Sequence, residues 1–125
     1  MANIPFDADL VRVGGYSEMT ATSPAKELLQ MADRPTAIFA ANDVSAIQTM
    51  RVAGEMGLSI PEDLSVIGFD NIPESALTTP SLTTIDQSIQ EMGYEAARLL
   101  IGLIDEPDSD PVHLTLPTKL VVRQS

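Results

Sequence analysis

Continuous apolar runs that end in polar residues are the most regular feature of this chain. Two such runs, residues 36–41 and 64–69, have turn-forming residues at both ends, which predicts two buried strands. Between them, apolar residues recur at helical spacing from position 44 to position 54, and Gly57 and Pro61 indicate where that helix ends. Two buried strands joined by a helix predict a right-handed βαβ unit in a parallel sheet.

Shorter patterns on either side of this unit predict further elements. Residues 10–13 form an apolar-rich run that predicts a strand ended by Gly14 and Gly15. Ser23 and Pro24 predict the start of a helix, which residues 33–35 should stop. Later in the chain, residues 82–85, 112–116 and 119–123 predict three more strands.

The clearest helical pattern begins at Ser88. Ser88 and Glu91 have the spacing of a capping box. The apolar residues that follow form one stripe of an amphipathic helix, namely Ile89, Met92, Ala96, Leu99, Leu100, Leu103 and Ile104. The predicted fold class is therefore α/β, with a parallel βαβ sheet and flanking helices.

Composition limits the class of protein. A chain of 125 residues, 44% of them hydrophobic and without a long apolar run, is enough for one small domain or a piece of a larger one, and it is not expected to be a membrane protein. Its amino-terminal residues lack the basic start and apolar stretch of a signal peptide, so we expect a cytoplasmic protein. Without cysteine, the chain has neither disulfides nor thiolate metal ligands.

The formal net charge of −11 argues against DNA binding by this segment. Seven basic residues are outnumbered by eighteen acidic ones, whereas nucleic-acid affinity depends on lysine and arginine neutralising phosphates. The acidic residues cluster only at positions 105–110. We interpret that cluster as a solvated loop, because it lacks the ligand spacing of a calcium loop.

Motifs for catalysis are mostly absent. His113 is the single histidine, and no motif supplies partners for a triad or a metal site around it. The sequence contains no nucleophile elbow, no Walker lysine and no dinucleotide fingerprint. We therefore expect no enzyme activity, no cofactor and no metal.

The ends of the two buried strands are the first places to look for binding. In open α/β sheets, ligands lie outside the carboxyl ends of the strands, and Asn42 and Asp70 follow two strands that share that edge. Both residues also have ordinary structural interpretations, Asn42 as a helix cap and Asp70 as part of a turn.

Several segments resemble the C-terminal half of the lactose-repressor (LacI/GalR) family in order and spacing. They are Phe39 to Asp43, Arg51, Gly57-Leu58, Ile60 to Asp70, Pro80 to Ile85 and Leu116 to Arg123, so the resemblance covers essentially the whole chain. It implies a two-lobed, periplasmic-binding-protein-like fold that closes on a small effector, in a regulator whose helix-turn-helix headpiece binds operator DNA. Residues 1–87 then correspond mainly to the C-terminal lobe and residues 88–125 to a crossover helix and closing strands. The headpiece and most of the N-terminal lobe are expected to be absent from this chain.

The resemblance also implies an effector site. Asp70 corresponds to an aspartate that accepts hydrogen bonds from the effector, and charge-assisted hydrogen bonds are stronger than neutral ones. Asn42 corresponds to an asparagine that can donate and accept, Gln87 resembles a ligand glutamine, and Tyr16 stands where the family often has a stacking aromatic residue. Gln87 as a loop residue and Tyr16 as ordinary packing remain alternatives. The effector is expected to be a sugar or related metabolite.

The resemblance further implies a homodimer, with Ile47, Arg51, Leu77 and Thr78 at the interface. Operator DNA is then a partner only through the missing headpiece, and no membrane partner is expected. The main alternative is a periplasmic-type sugar-binding protein of a transporter, although the carboxyl tail favours a regulator. An enzyme or a pure interaction module built on this half-fold is a third possibility.

Overall fold

Four strands form one mixed sheet in the computed structural model, which describes residues 4–125. Strands β1 (Ala37–Phe39), β2 (Ser65–Asp70) and β3 (Thr83–Asp86) are parallel, and β4 (Lys119–Val121) runs antiparallel to β3. The strand order is β1-β2-β3-β4. The register pairs Asp70 with Asp86, so the carboxyl ends of β2 and β3 lie side by side.

Helix α2 (Asp43–Glu55) connects β1 to β2 and completes the predicted βαβ unit. Its first turn is capped by Asn42, whose side-chain oxygen accepts a hydrogen bond from the Ser45 amide at 2.8 Å. Because α2 packs on the sheet, most of its residues on that face are buried. The α/β fold class is confirmed.

Helix α1 (Glu18–Leu29) starts earlier than the sequence predicts. Ser17 and Thr20 form the capping box, and Pro24 lies inside the helix instead of in its first turn. The predicted start at Ser23 was therefore wrong, because a Ser-x-x-Thr box does not match the Ser/Thr-x-x-Glu/Gln pattern on which the prediction relied.

The hydrophobic core lies between α2 and the sheet. Val52, Leu64, Val66 and Leu82 have no solvent exposure. Gly68 faces the same layer, where an added Cβ would collide with the Asp43 carboxylate and press on Leu82. The absence of a side chain at Gly68 thus allows α2 to approach β2 closely.

Helix α3 (Ile89–Asp105) carries the predicted apolar stripe, but no α3 residue is buried. The predicted capping box is wrong: Ser88 adopts a left-handed conformation (φ 54°) and its side chain makes no capping hydrogen bond. Instead, the Ser88 amide donates to Asp86 Oδ1 at 2.8 Å. A capping box needs an extended residue at the cap, and the turn after β3 does not provide one.

Two further strand predictions are not met. Leu10 ends a single 3₁₀ turn (Ala8–Leu10), and residues 11–13 are irregular. The Arg12 guanidinium there donates hydrogen bonds to the carbonyls of Asp9 and Val11. Residues 112–116 are irregular and run beside α3, where His113 lines a groove with Leu99. Of the two closing strands, only β4 is present in the part of the chain that the structure describes.

The expectation about the amino terminus rests partly on residues 1–3, which lie outside the described residues. Among residues 4–125, no helix is both long and apolar enough to cross a lipid bilayer.

Candidate functional site

Asp70 ends β2 in an unusual backbone conformation. Its φ is 121° and that of Asn71 is 57°, both in the region that favours glycine. The Gln87 amide donates to Asp70 Oδ1, so the structure brings together two of the four predicted effector residues. A half-buried carboxylate with one oxygen already engaged can accept further hydrogen bonds through the other.

A cleft of about 640 Å³ opens beside Asp70 at the carboxyl edge of the sheet, and we call it the edge cleft. It is lined by Asp70, Asn71, Ile72, Pro73, Asp86, Ser88, Ile89, Gln90 and Glu91. Three of these residues carry carboxylates, which suit a ligand that donates many hydrogen bonds. Gln87 contacts Asp70 but itself lines the neighbouring groove along α3.

Asn42 follows β1, and Tyr16 belongs to a loop near the start of α2, but neither residue lines the edge cleft. Asn42 is buried and its side-chain oxygen caps α2, which supports the structural interpretation. Its amide nitrogen and the second lone pair of its oxygen are left for other partners. Tyr16 is 83% exposed. It follows Gly15, whose carbonyl accepts a hydrogen bond from Ser45 Oγ at 3.4 Å, so the loop that carries Tyr16 contacts the start of α2.

Asp43 anchors the turn after β2. Its carboxylate is fully buried, accepts a hydrogen bond from Thr84 Oγ1 and accepts the Ile72 amide at 2.9 Å. Burial raises the pKa of the Asp43 carboxyl above its ordinary value, although the hydrogen bonds from Thr84 and Ile72 oppose this by stabilising the charged form. Two adjacent residues thus have different roles: Asn42 caps α2, and Asp43 holds the turn after β2.

Arg123, next to β4, holds the same turn from the other side. Its Nη2 donates to Asn71 Oδ1 at 2.6 Å, and its Nη1 donates to the Leu82 carbonyl at 2.6 Å and to Ser75 Oγ at 3.0 Å. Asn71 in turn donates to Asp86 Oδ2 at 3.1 Å. Polar side chains from distant parts of the chain therefore converge behind Asp70.

The four residues predicted at the dimer interface share one surface groove of about 420 Å³, which we call the lateral groove. It is lined by Glu18, Val44, Ile47, Arg51, Ile72, Glu74, Leu77 and Thr78. Leu77 is 80% exposed, and Arg51 forms an exposed ion pair with Glu18 at 3.3 Å. Since Ile72 lines both this groove and the edge cleft, the turn after Asp70 lies between them.

Sequence reasoning missed the supporting residues of the site. Thr84 and Arg123 lie within predicted strands, and Asn71 and Asp86 lie just after predicted strands, but no sequence pattern assigns a role to any of the four. The hydrogen bonds among these four residues span from 13 to 52 positions along the chain. One local feature could have drawn attention to them: each is a polar residue at or beside a predicted strand, and a polar group that a sheet buries is costly unless it is paired.

Comparison with known proteins assigns this chain to a protein family. The model of the periplasmic binding protein-like domain family matches residues 2–125, and this chain belongs to that family.

Its similarities within this class are to LacI-type regulators, which confirms the resemblance found in the sequence. The ribose operon repressor of Halalkalibacterium halodurans is 41% identical over 125 residues, which are 100% of this chain and 36% of the repressor. The structure of the transcriptional regulator CelR in complex with cellobiose is 35% identical with a TM-score of 0.93, covering 99% of this chain and 38% of that one. A LacI family regulator from Enterococcus faecium with bound ribose is 39% identical with a TM-score of 0.81, covering 88% and 40%.

The chain thus spans little more than a third of the curated repressor that it matches. The curated relatives are named as transcriptional regulators, not as enzymes.

Proposed function

We propose that this chain is the effector-sensing and dimerisation part of a LacI-type transcriptional regulator. In the full-length protein it binds a small molecule, a sugar or related metabolite, that controls operator binding. The observation that carries this proposal is the pairing of Asp70 with Gln87 at the carboxyl edge of the sheet, beside a cleft lined with carboxylates.

The chemistry of the edge cleft favours a polyhydroxylated ligand. Sugar hydroxyls donate hydrogen bonds, and carboxylate oxygens accept them strongly. The relatives with bound cellobiose and ribose support this choice of ligand class. In this proposal Asp70 and Gln87 are the principal contacts, the exposed ring of Tyr16 offers a stacking surface, and the Asn42 amide nitrogen donates a hydrogen bond.

A regulator agrees better with the relatives than a transporter's binding protein does. The curated relatives are repressors and regulators, and a cytoplasmic location follows from that role. We assign no catalysis to the chain. Residues 1–87 form mainly the C-terminal lobe in this proposal, and residues 88–125 form the crossover helix and the closing segment.

We further propose that the lateral groove lies in a two-fold interface. Half of its lining residues are apolar, Ile47 and Leu77 among them, and Arg51 is the one basic residue in a lining that also contains Glu18 and Glu74. A symmetric interface suits a protein that binds two-fold operators, because the symmetry of protein and site then match.

The test uses the full-length protein. Calorimetric titration with D-ribose and cellobiose measures effector binding, and sedimentation measures assembly of the wild type and of Leu77→Asp. We expect a dissociation constant in the micromolar range for at least one sugar and a weaker dimer for the variant. A protein that binds neither sugar and stays monomeric at high concentration would contradict the proposal.

A further inference from the structure

We propose that Arg123 is a positioning residue that links the turn presenting Asp70 to the segment that carries Leu77 and Thr78. This inference rests on the proposed function, in which Asp70 contacts the effector and Leu77 and Thr78 contact a second copy of the chain. The link is a set of hydrogen bonds from one side chain to both segments.

The turn after β2 needs support from outside itself. Asp70 and Asn71 both have positive φ, and such conformations persist in non-glycine residues only when the surroundings hold them. Asp43 holds the backbone of this turn through the Ile72 amide, and Arg123 holds the Asn71 side chain. Of these two supports, only Arg123 also reaches the segment beyond the turn.

The second contact of Arg123 is Ser75, in the 3₁₀ helix Pro73–Ala76. Ser75 is fully buried, and its carbonyl accepts hydrogen bonds from the Leu82 amide at 2.8 Å and from Thr78 Oγ1 at 3.3 Å. The position of Ser75 therefore fixes the position of the segment that follows it, which contains Leu77 and Thr78. A displacement of the Arg123 guanidinium would therefore break hydrogen bonds to both segments, at Asn71 and at Ser75.

The contacts of Arg123 fit a linking role better than the role of an ion-pair partner. Among the described residues, no carboxylate forms an ion pair with Arg123, and its donors engage the neutral oxygens of Asn71, Ser75 and Leu82. A planar guanidinium can donate from two nitrogens in fixed directions at once, whereas a lysine ammonium is a single point. Lysine at this position therefore keeps the charge but not the link.

Three variants of the full-length protein test the proposal. Arg123→Met removes the donors, Arg123→Lys keeps the charge, and Arg34→Met is the matched control. Arg34 is also half-buried and donates to a backbone carbonyl, that of Asp63 at 3.0 Å, but it lies at the opposite edge of the sheet.

The first measurement is backbone amide exchange without any ligand. We expect Arg123→Met to accelerate exchange in residues 71–72 and 75–78 together, by about tenfold, with a smaller effect for Arg123→Lys. Arg34→Met should leave both segments unchanged. If exchange in either segment stays within twofold of wild type in both Arg123 variants, the link does not exist. Where Arg123→Met fails to fold, Arg123→Lys carries the same comparison.

The second measurement separates the link from simple destabilisation. In wild type, D-ribose or cellobiose should change the dimer dissociation constant measured by sedimentation. Arg123→Lys should weaken sugar binding and abolish most of this change in dimer dissociation. Arg34→Met should retain wild-type sugar binding and the wild-type change in dimer dissociation. Wild-type behaviour of Arg123→Lys in both respects overturns the proposal. If the wild type itself binds neither sugar, the proposed function fails, while the exchange comparison still decides the role of Arg123.

Discussion

Asp70 contributes one of the three carboxylates that line the edge cleft, and it is the one that Gln87 contacts. In the full-length protein, Asp70→Asn keeps the size of the side chain but removes its charge and one acceptor. Hydrogen bonds to charged groups are worth about 1.5–3 kcal/mol, which corresponds to a loss of effector affinity of roughly 10- to 150-fold. Calorimetric titration with whichever of D-ribose and cellobiose the wild type binds measures this loss.

The control for Asp70 is Asp33→Asn, an exposed aspartate near the start of β1, at the opposite edge of the sheet. It removes the same charge from the protein, so any long-range electrostatic effect appears in both variants. An Asp70→Asn protein that binds the sugar within twofold of the Asp33→Asn protein would remove Asp70 from the site.

Gly68 allows a second test at the scale of single residues. A methyl group at this position meets the Asp43 carboxylate, and it also lies 3.1 Å from Leu82 and 3.2 Å from Ala46. We expect Gly68→Ala to lower the free energy of unfolding by about 1–3 kcal/mol, as overpacking typically does. Gly54, on the exposed side of α2, has nothing within 4 Å of an added Cβ.

Gly54→Ala is therefore the matched control for Gly68→Ala. Alanine favours a helix over glycine by about 1 kcal/mol, so this variant should be slightly more stable than wild type. Urea unfolding followed by circular dichroism compares the three proteins. The same unfolding midpoint for both variants would show that the packing of α2 on β2 leaves room for a methyl group at position 68.

Some residues of the site could be predicted and others could not, for a physical reason. Asp70 lies at the end of an apolar run, and the rule that ligands bind at the carboxyl edge applies to it directly. Arg123 and Asp43 act through partners 52 and 41 positions away, respectively. No local pattern records such contacts, because they depend on which strands become neighbours in the sheet.

At the scale of elements, prediction succeeded at the two continuous apolar runs and at the helical pattern between them. These segments form β1, α2 and β2. The prediction that both strands are buried was wrong for β1, since Ala37 and Phe39, which lie on one face of it, are exposed. Strand prediction failed at residues 10–13 and 112–116, where a short apolar-rich pattern has no neighbouring strand to pair with among the described residues. A segment becomes a strand by pairing with a neighbouring strand, and the hydrophobic pattern of the segment alone does not show whether such a neighbour exists.

Helix α3 leads to a prediction about local stability. Its 17 residues carry an apolar stripe, yet none is buried, whereas α2 has eight buried residues in 13. Most helical stability in proteins comes from tertiary packing of an amphipathic face, and α3 lacks such packing among the described residues. In the 125-residue chain alone, we expect the amides of α3 to exchange much faster than those of α2.

Hydrogen exchange followed by mass spectrometry can compare the two helices within one sample, so that α2 serves as the internal control. Leu100→Gln, which shortens the exposed apolar stripe, should also reduce any concentration-dependent self-association of the chain. Equal protection of α2 and α3 would mean that the stripe is covered, for example by a second copy, and sedimentation of the same sample would reveal it.

At the scale of the whole molecule, charge and shape set what the chain can do by itself. A formal net charge of −11 repels nucleic-acid phosphates, and none of the described helices carries a cluster of lysine and arginine that could neutralise them. The edge cleft is open on one side, so that a sugar placed against Asp70 would keep much of its surface in water. Affinity for a small ligand depends on burying most of that surface.

We therefore expect the 125-residue chain, tested alone, to bind neither operator DNA nor effector with useful affinity. In a two-lobed protein, the effector shifts the equilibrium by binding one arrangement of the lobes better than the other, and a single lobe offers no such difference. Titration of the chain with D-ribose and cellobiose, beside the full-length protein as positive control, tests this directly. A dissociation constant in the low micromolar range for the chain alone would show that Asp70 and its neighbours already form a complete site.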